Sequence, residues 1–133
     1  MQMKKLLSAI LAAFLCLAGT TAVSAAIPGP QAKQDTSMKI ISDKVVDGVR
    51  YVSATPSSKV CSKQIDIQIN VKDHVIRNAK FTQGCPGNAE GLCKLLKGMK
   101  AEDAVTKLEG INCSGRGTSC PDQLAAVLKA LKW

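Results

Sequence analysis

The sequence predicts an α+β fold, in which a small antiparallel sheet of three to five strands is followed by three helices packed on one of its faces. β-forming segments fill the first part of the chain beyond residue 37, and helical segments fill the last part. This order is typical of α+β proteins. The segment 65–71 alternates apolar and polar residues, as expected of a strand with one solvated face. Because cysteines fall at the ends of these elements, we expect them to converge at one end of the sheet.

The first 25 residues have the pattern of a secretory signal peptide. Two lysines form a charged region, the apolar run 6–17 follows, and Val23-Ser24-Ala25 offers a small-residue cleavage site, with a cut after Ala26 as the alternative. Cleavage after residue 25 leaves 108 residues, enough for one domain. We therefore expect an exported protein, periplasmic or secreted, with no membrane attachment after cleavage.

The remaining chain divides into three parts. Residues 26–37 are predicted to be a disordered leader because proline and glycine interrupt them and no apolar period is present. Residues 38–48 are predicted to be a short β extension, and residues 49–133 the main domain.

Turn residues separate the predicted strands. Asp47-Gly48 is a dipeptide typical of a two-residue hairpin, and Asp73-His74 marks a second turn, where we expect His74 to be solvated. The predicted strands cover 38–42, 49–53, 65–71 and 75–82.

Two of the predicted helices begin with a Cys-Pro pair. Pro121 suits the first helical position, which places Cys120 at the N-cap of the last helix, and Cys85-Pro86 repeats the arrangement. The helix dipole and free N–H groups stabilise a thiolate there, and the thiolate is the form that binds metal or attacks a disulfide. The predicted helices cover 88–99, 102–109 and the segment from Pro121 onwards.

Five cysteines remain after signal cleavage: Cys61, Cys85, Cys93, Cys113 and Cys120. Cys93 shares the apolar stripe of the first helix, so we expect it to be a buried, small hydrophobic residue. Export through an oxidising compartment favours disulfides, and the odd number leaves at least one thiol free. No Cys-x2-Cys pair is present, so the spacing alone is not that of a zinc ribbon.

Several motifs resemble those of the TSCPD domain family, over about residues 49–133. They are Tyr51-x4-Pro56, Val60-Cys61-Ser62, Gly84-Cys85-Pro86-Gly87-Asn88, Leu96-x-Gly98-Met99, Ile111-x-Cys113 and Gly117-Thr118-Ser119-Cys120-Pro121-Asp122-Gln123-Leu124. The resemblance implies a metal-binding module with four cysteine ligands at matching positions, Cys61, Cys85, Cys113 and Cys120. Four thiolates suit Zn²⁺ or an iron–sulfur cluster.

A weaker similarity links the chain to iron–sulfur cluster scaffold proteins. It rests on the apolar alternation, the approach Ala79-Lys80-Phe81 to Gly84-Cys85, and Gly98 followed by an acidic pair. That family has an aspartate near its first cysteine, whereas this chain has Ser62 and Lys63, which argues against cluster assembly.

TSCPD domains also occur at the C-terminus of adenosylcobalamin-dependent ribonucleotide reductases, and stand-alone members often share the reductase label. A chain of 108 residues cannot hold the large catalytic barrel of such an enzyme. We therefore expect a binding module rather than an enzyme, with an accessory role toward a reductase as one alternative.

Three functions remain open on the sequence. The first is an exported, non-catalytic module that binds zinc or an iron–sulfur cluster. The second is a thiol–disulfide redox protein with Cys120 or Cys85 as nucleophile. The third is a secreted domain held by disulfides and without metal.

The composition also bears on partners. The formal net charge is +8, but the basic residues are scattered and aromatic residues make up only 3% of the chain, which argues against nucleic-acid binding. We expect a protein partner of unknown identity. The loop Ser114–Thr118 either binds an anion ahead of the last helix or only turns the chain.

Overall fold

The computed structural model describes residues 33–133; the predicted signal peptide and the leader up to residue 32 lie outside this part. The described chain forms four strands and then three helices, which confirms the predicted α+β class. They are β1 (Lys39–Val46), β2 (Val49–Thr55), β3 (Gln64–Asn70), β4 (Ile76–Thr82), α1 (Pro86–Leu96), α2 (Ala101–Leu108) and α3 (Cys120–Ala130).

The four strands form one antiparallel sheet in sequence order. Asp47 and Gly48 both have positive φ, 49° and 74°, the combination that a type I′ hairpin requires between twisted strands. β1 extends to Val46, beyond the predicted end at 42, because it pairs along β2 past an irregularity between Ile40 and Ser42. The predicted hairpin is thus confirmed, with a longer first strand.

The core lies between the helices and one face of the sheet. Ile65, Ile67 and Ile69 of β3 are at most 1% exposed, and they form one apolar cluster with residues of every helix, among them Leu96, Ala104, Leu124 and Leu128. Burying one such side chain contributes roughly 1.5–3 kcal/mol. The fold therefore has an apolar core that includes none of the four predicted ligand cysteines.

The two Cys-Pro helix starts differ by one residue. Cys85 is the N-cap of α1, as predicted, with Pro86 directly after it. In α3 the N-cap is Ser119, whose Oγ accepts a hydrogen bond of 3.1 Å from the backbone N–H of Asp122. The prediction of Cys120 as N-cap is wrong, because a serine hydroxyl is a better cap acceptor than a thiol and moves the start of the helix back by one residue.

His74, at the β3–β4 turn, was predicted to be solvated, but its ring contacts two other side chains. Its Nδ1 lies 2.9 Å from Oε1 of Glu102, and its ring stacks on Trp133 with centroids 4.4 Å apart. Arg50 lies over the same indole, 5.5 Å from its centroid. His74 and Arg50 therefore hold Trp133 close to the β3–β4 turn.

Residues 33–37, the described part of the predicted leader, form no helix or strand. Gln34 and Asp35 nevertheless make hydrogen bonds to the domain. This part of the leader is therefore attached to the folded body. Within the described chain, no helix is both long enough and apolar enough to cross a membrane.

Candidate functional site

A cavity of about 310 Å³ lies where the Lys59–Cys61 segment, the start of α1 and the segment 111–121 meet. Its walls are largely apolar, with Phe81, Leu92 and Ile111 among the lining residues. All four predicted ligand cysteines, Cys61, Cys85, Cys113 and Cys120, line this cavity. Cys61 and Cys85 come from separate segments of the chain, and Cys113 and Cys120 come from a third.

Strand pairing places the first two cysteines near each other in the fold. Cys61 precedes β3 and Cys85 follows β4, and the antiparallel register pairs Gln64 at the start of one strand with Thr82 at the end of the other. Ser62, which is buried, donates its hydroxyl to the carbonyl oxygens of both paired residues, at 2.9 and 3.2 Å. The segment that carries Cys61 is thereby fixed to the end of β4.

A closed loop connects Cys113 to Cys120. The backbone N–H of Cys113 donates to the carbonyl of Thr118 at 3.1 Å, and that of Gly117 donates to Oδ1 of Asn112 at 2.9 Å. Gly115 and Gly117 both have positive φ, which favours glycine at these positions. The N–H of Arg116 also bonds within the loop, to the carbonyl of Cys113, so three backbone N–H groups are paired inside this turn.

The polar residues around Cys120 form a buried network. Asp122 is 1% exposed, and its carboxylate accepts hydrogen bonds from the N–H of Gly110 at 2.8 Å and the hydroxyl of Thr118 at 2.6 Å. Gln123, fully buried, accepts from the N–H of Ser57 at 2.8 Å. Together these two side chains tie the segments leading to Cys61 and Cys113 to α3.

Arg116 is the site residue that sequence reasoning did not single out. Its Nη1 lies 3.3 Å from Sγ of Cys61 and 3.3 Å from the carbonyl oxygen of Lys59. The hydrogen bond to Cys61 is the main cause that raises the pKa of the arginine. The only sequence signal was a basic residue in a glycine-rich loop between two cysteines.

The four thiols line one cavity, but they are not arranged as a metal-coordination site. A tetrahedral zinc site with Zn–S bonds of about 2.3 Å needs sulfur atoms about 3.8 Å apart. No group of three or more His, Cys, Asp or Glu residues in the part 33–133 has an arrangement that holds a metal ion. The expected convergence of the four cysteines on one metal-coordination site is therefore not confirmed.

The thiols also differ in exposure. All five cysteines in residues 33–133 are free; Cys61 and Cys85 are exposed, and the other three are half-buried. Cys93 does not line the cavity and packs against the apolar core, in keeping with its predicted role, although it is not fully buried. Burial raises the pKa of the Cys93 thiol.

Comparison with known proteins identifies the family. The model of the TSCPD domain matches residues 39–132, which is more than half of the chain and includes β1, predicted to lie outside the domain. No curated protein and no solved structure gives a significant match. The chain therefore belongs to the TSCPD domain family.

Proposed function

We propose that the chain is a small, non-catalytic module that binds a thiophilic metal, as Zn²⁺ or an iron–sulfur cluster, in the cysteine-lined cavity. The observation that carries this proposal is that four free thiols from three separate segments line one apolar-walled cavity. The ligands are Cys61, Cys85, Cys113 and Cys120. Soft thiolates select zinc and iron–sulfur clusters over hard cations, so the donor set fits these groups.

The position of the four cysteines indicates that a metal would bind to a domain that already has an apolar core. The four cysteines are outside the apolar core, whereas in a zinc finger the metal takes the place of a core. Cys61 and Cys113 lie in loop segments, outside the helices and strands. A bound metal would crosslink the three segments that carry these cysteines, and Arg116 donates a hydrogen bond to Sγ of Cys61, one of the proposed ligands.

The test is a titration of reduced protein with Zn²⁺, and separately with Fe²⁺ and sulfide, compared among three forms of the chain. Wild-type protein is expected to bind one zinc ion or one cluster. Cys113→Ser is expected to lose this binding, because one of four ligands is missing. Cys93→Ser is the matched control and is expected to retain it. Equal binding by all three forms, or none by the wild type, would refute the proposal.

A thiol–disulfide redox function is the second candidate. It is favoured by the guanidinium group of Arg116, which lies beside the thiol of Cys61. A thiol that is partly exposed and close to an arginine is typical of reactive cysteines. The sequence pointed to Cys120 or Cys85 as the nucleophile, whereas the guanidinium contact favours Cys61. Retained metal content together with altered thiol reactivity in Cys113→Ser would favour this second function.

We also propose that the module acts outside the cytoplasm. The support is the signal-peptide pattern of residues 1–25. The intact mass of protein recovered from a periplasmic extract tests this directly. It is expected to correspond to a chain that begins at residue 26, and an uncleaved mass in the cytoplasmic fraction would refute export. The protein partner, and an accessory role toward a ribonucleotide reductase, remain proposals that rest on the family resemblance.

A further inference from the structure

We propose that the outer edge of β4 and the facing side of α1 form a groove that binds an extended, acidic segment of a partner protein as an added strand. β4 is the last strand of the four-stranded sheet, so its outer edge is the one that faces away from β3. The inference concerns a surface beside the four cavity cysteines and does not depend on whether a metal binds there.

The first part of this outer edge already pairs with another segment of the chain. After α1 the backbone returns along the start of β4, where the N–H of Ile76 donates to the carbonyl of Met99 at 2.8 Å. The N–H of Gly98 donates to the carbonyl of Ile76 at 2.8 Å, and Val75 forms an antiparallel bridge with Lys100. The outer edge of β4 therefore accepts an extended segment in this fold.

The rest of the outer edge is open. The register with β3 passes from Ile76 to Asn78 and leaves out Arg77, which marks an irregularity in β4. Beyond this point, no backbone segment among residues 33–133 pairs with the outer edge of β4. The N–H and C=O groups of a strand edge are strong hydrogen-bonding groups that pair with a strand placed beside them. The open part of the edge therefore offers main-chain partners to one further strand.

A cavity of about 390 Å³, called the edge groove here, lies between this open edge and α1. Its strand wall consists of residues between Ala79 and Gln83, and its helix wall of Pro86, Ala89, Glu90 and Cys93. The spacing of three and four residues places the helix wall on one side of α1. A groove between an edge strand and a helix suits strand addition, in which an extended peptide pairs with the edge. At roughly 3.4 Å for each residue, the groove has room for about five peptide residues.

The inner surface of the edge groove fits small apolar side chains of a peptide. Ala89 and Cys93 are half-buried and short, and Phe81 separates the groove from the thiol cavity, since it lines both. The backbone of Phe81 is hydrogen bonded to the thiol of Cys93, so this part of the edge faces the helix. A thiol is a weak hydrogen-bonding partner, which a peptide backbone can replace. Alternate peptide side chains would then point toward α1.

The charges beside the edge groove favour an acidic peptide. Lys80 is exposed and lines the strand wall. Oδ1 of Asp66, its partner across the ladder, accepts hydrogen bonds from two other side chains. On the helix wall, Glu90 forms an ion pair of 2.9 Å with Lys94. Because Lys80 is the cation that faces a ligand in the groove, carboxylates on the peptide beside it add complementary charge.

The test begins with a phage-displayed library of random peptides, panned on the full chain. Peptides of about eight residues are long enough to cover the roughly five positions of the groove. We expect selected sequences to alternate apolar residues with aspartate or glutamate. The selected peptides are then synthesised with a fluorophore, and their Kd values are measured by fluorescence anisotropy.

Two pairs of variants locate the binding site. Cys93→Phe fills the groove and should abolish binding, whereas Cys93→Ser, its matched control, leaves the groove open and should bind as the wild type does. Lys80→Glu should weaken binding about tenfold, because an attraction at the surface becomes a repulsion. Lys44→Glu changes an exposed lysine of β1, at the opposite edge of the sheet, and should leave the Kd unchanged.

Methylation of the peptide backbone tests strand addition itself. Alternate N–H groups of a strand point to opposite edges, so N-methylation of one alternate set should abolish binding and methylation of the other set should not. Equal affinity of the two methylated peptides would overturn the proposal. It would also be overturned if no selected peptide distinguished Cys93→Ser from Cys93→Phe. A wild-type dimer that Lys80→Glu dissociates would place a second copy of the chain in the groove and exclude a partner peptide.

Discussion

Gln123 gives the sharpest test of how the site is held together. Its side chain is fully buried and makes three hydrogen bonds: Oε1 accepts from the N–H of Ser57, and Nε2 donates to the carbonyl of Asp35 and to Oγ1 of Thr118. In Gln123→Leu a side chain of similar size fills the space without these bonds, and the N–H of Ser57 loses its partner. At about 1 kcal/mol for each bond, the expected destabilisation is roughly 3 kcal/mol.

The assay is reversible thermal and urea unfolding of the reduced, metal-free protein, followed by circular dichroism. For a domain of this size, roughly 3 kcal/mol corresponds to a fall in Tm of about 12–24 °C. Gln68→Leu is the matched control, because Gln68 lies half-buried on the open face of β3, and it should change the stability by less than about 0.5 kcal/mol. Destabilisation of less than about 1 kcal/mol by Gln123→Leu would refute the reasoning.

Three other predictions concern single side chains. Cys93 should react with iodoacetamide more slowly than the exposed cavity thiols, since burial raises its pKa, and the difference should vanish in urea. The hydrogen bond to His74 is the main cause that lowers the pKa of Glu102. This contact therefore stabilises the fold fully at pH values above 4.5, the ordinary pKa of a glutamate, and the stabilisation is lost as the pH falls through the lowered pKa of Glu102. Fluorescence of Trp133 should therefore change at acid pH, and Glu102→Gln should remove that step. Arg116→Ala should weaken metal binding about 10–100-fold, because the hydrogen bond to Sγ of Cys61 is lost, and Arg116→Lys should restore part of the affinity. Equal metal affinities of the wild type and Arg116→Ala would contradict this role of Arg116.

Local sequence signals were enough to predict most of the fold. The alternation of Ile65, Ile67 and Ile69 predicted a strand with one buried face, and Asp47-Gly48 predicted the hairpin turn between β1 and β2. Both depend on residues close in sequence, where period and turn chemistry act directly. The four cavity cysteines were proposed from motif resemblance, and the structure places them around one cavity.

Contacts between distant residues were not predictable in the same way. Arg116 meets Cys61 across 55 positions, and Gln34 meets Asp122 across 88. Neither pairing leaves a periodic or turn signal, because each depends on how the sheet and helices pack. The cap of α3 was misassigned for a local reason: Pro121 is compatible with two helix starts, and the hydroxyl of Ser119 decides between them.

Native mass spectrometry of the chain, exported into a periplasm and purified without chelator, tests the proposed function most directly. The account predicts a mature chain that carries one zinc ion or one iron–sulfur cluster, released on acidification and absent from Cys113→Ser. A metal-free mass lower by four hydrogens would instead mean two disulfides and one free thiol. That result would contradict metal binding by Cys61, Cys85, Cys113 and Cys120 in this protein.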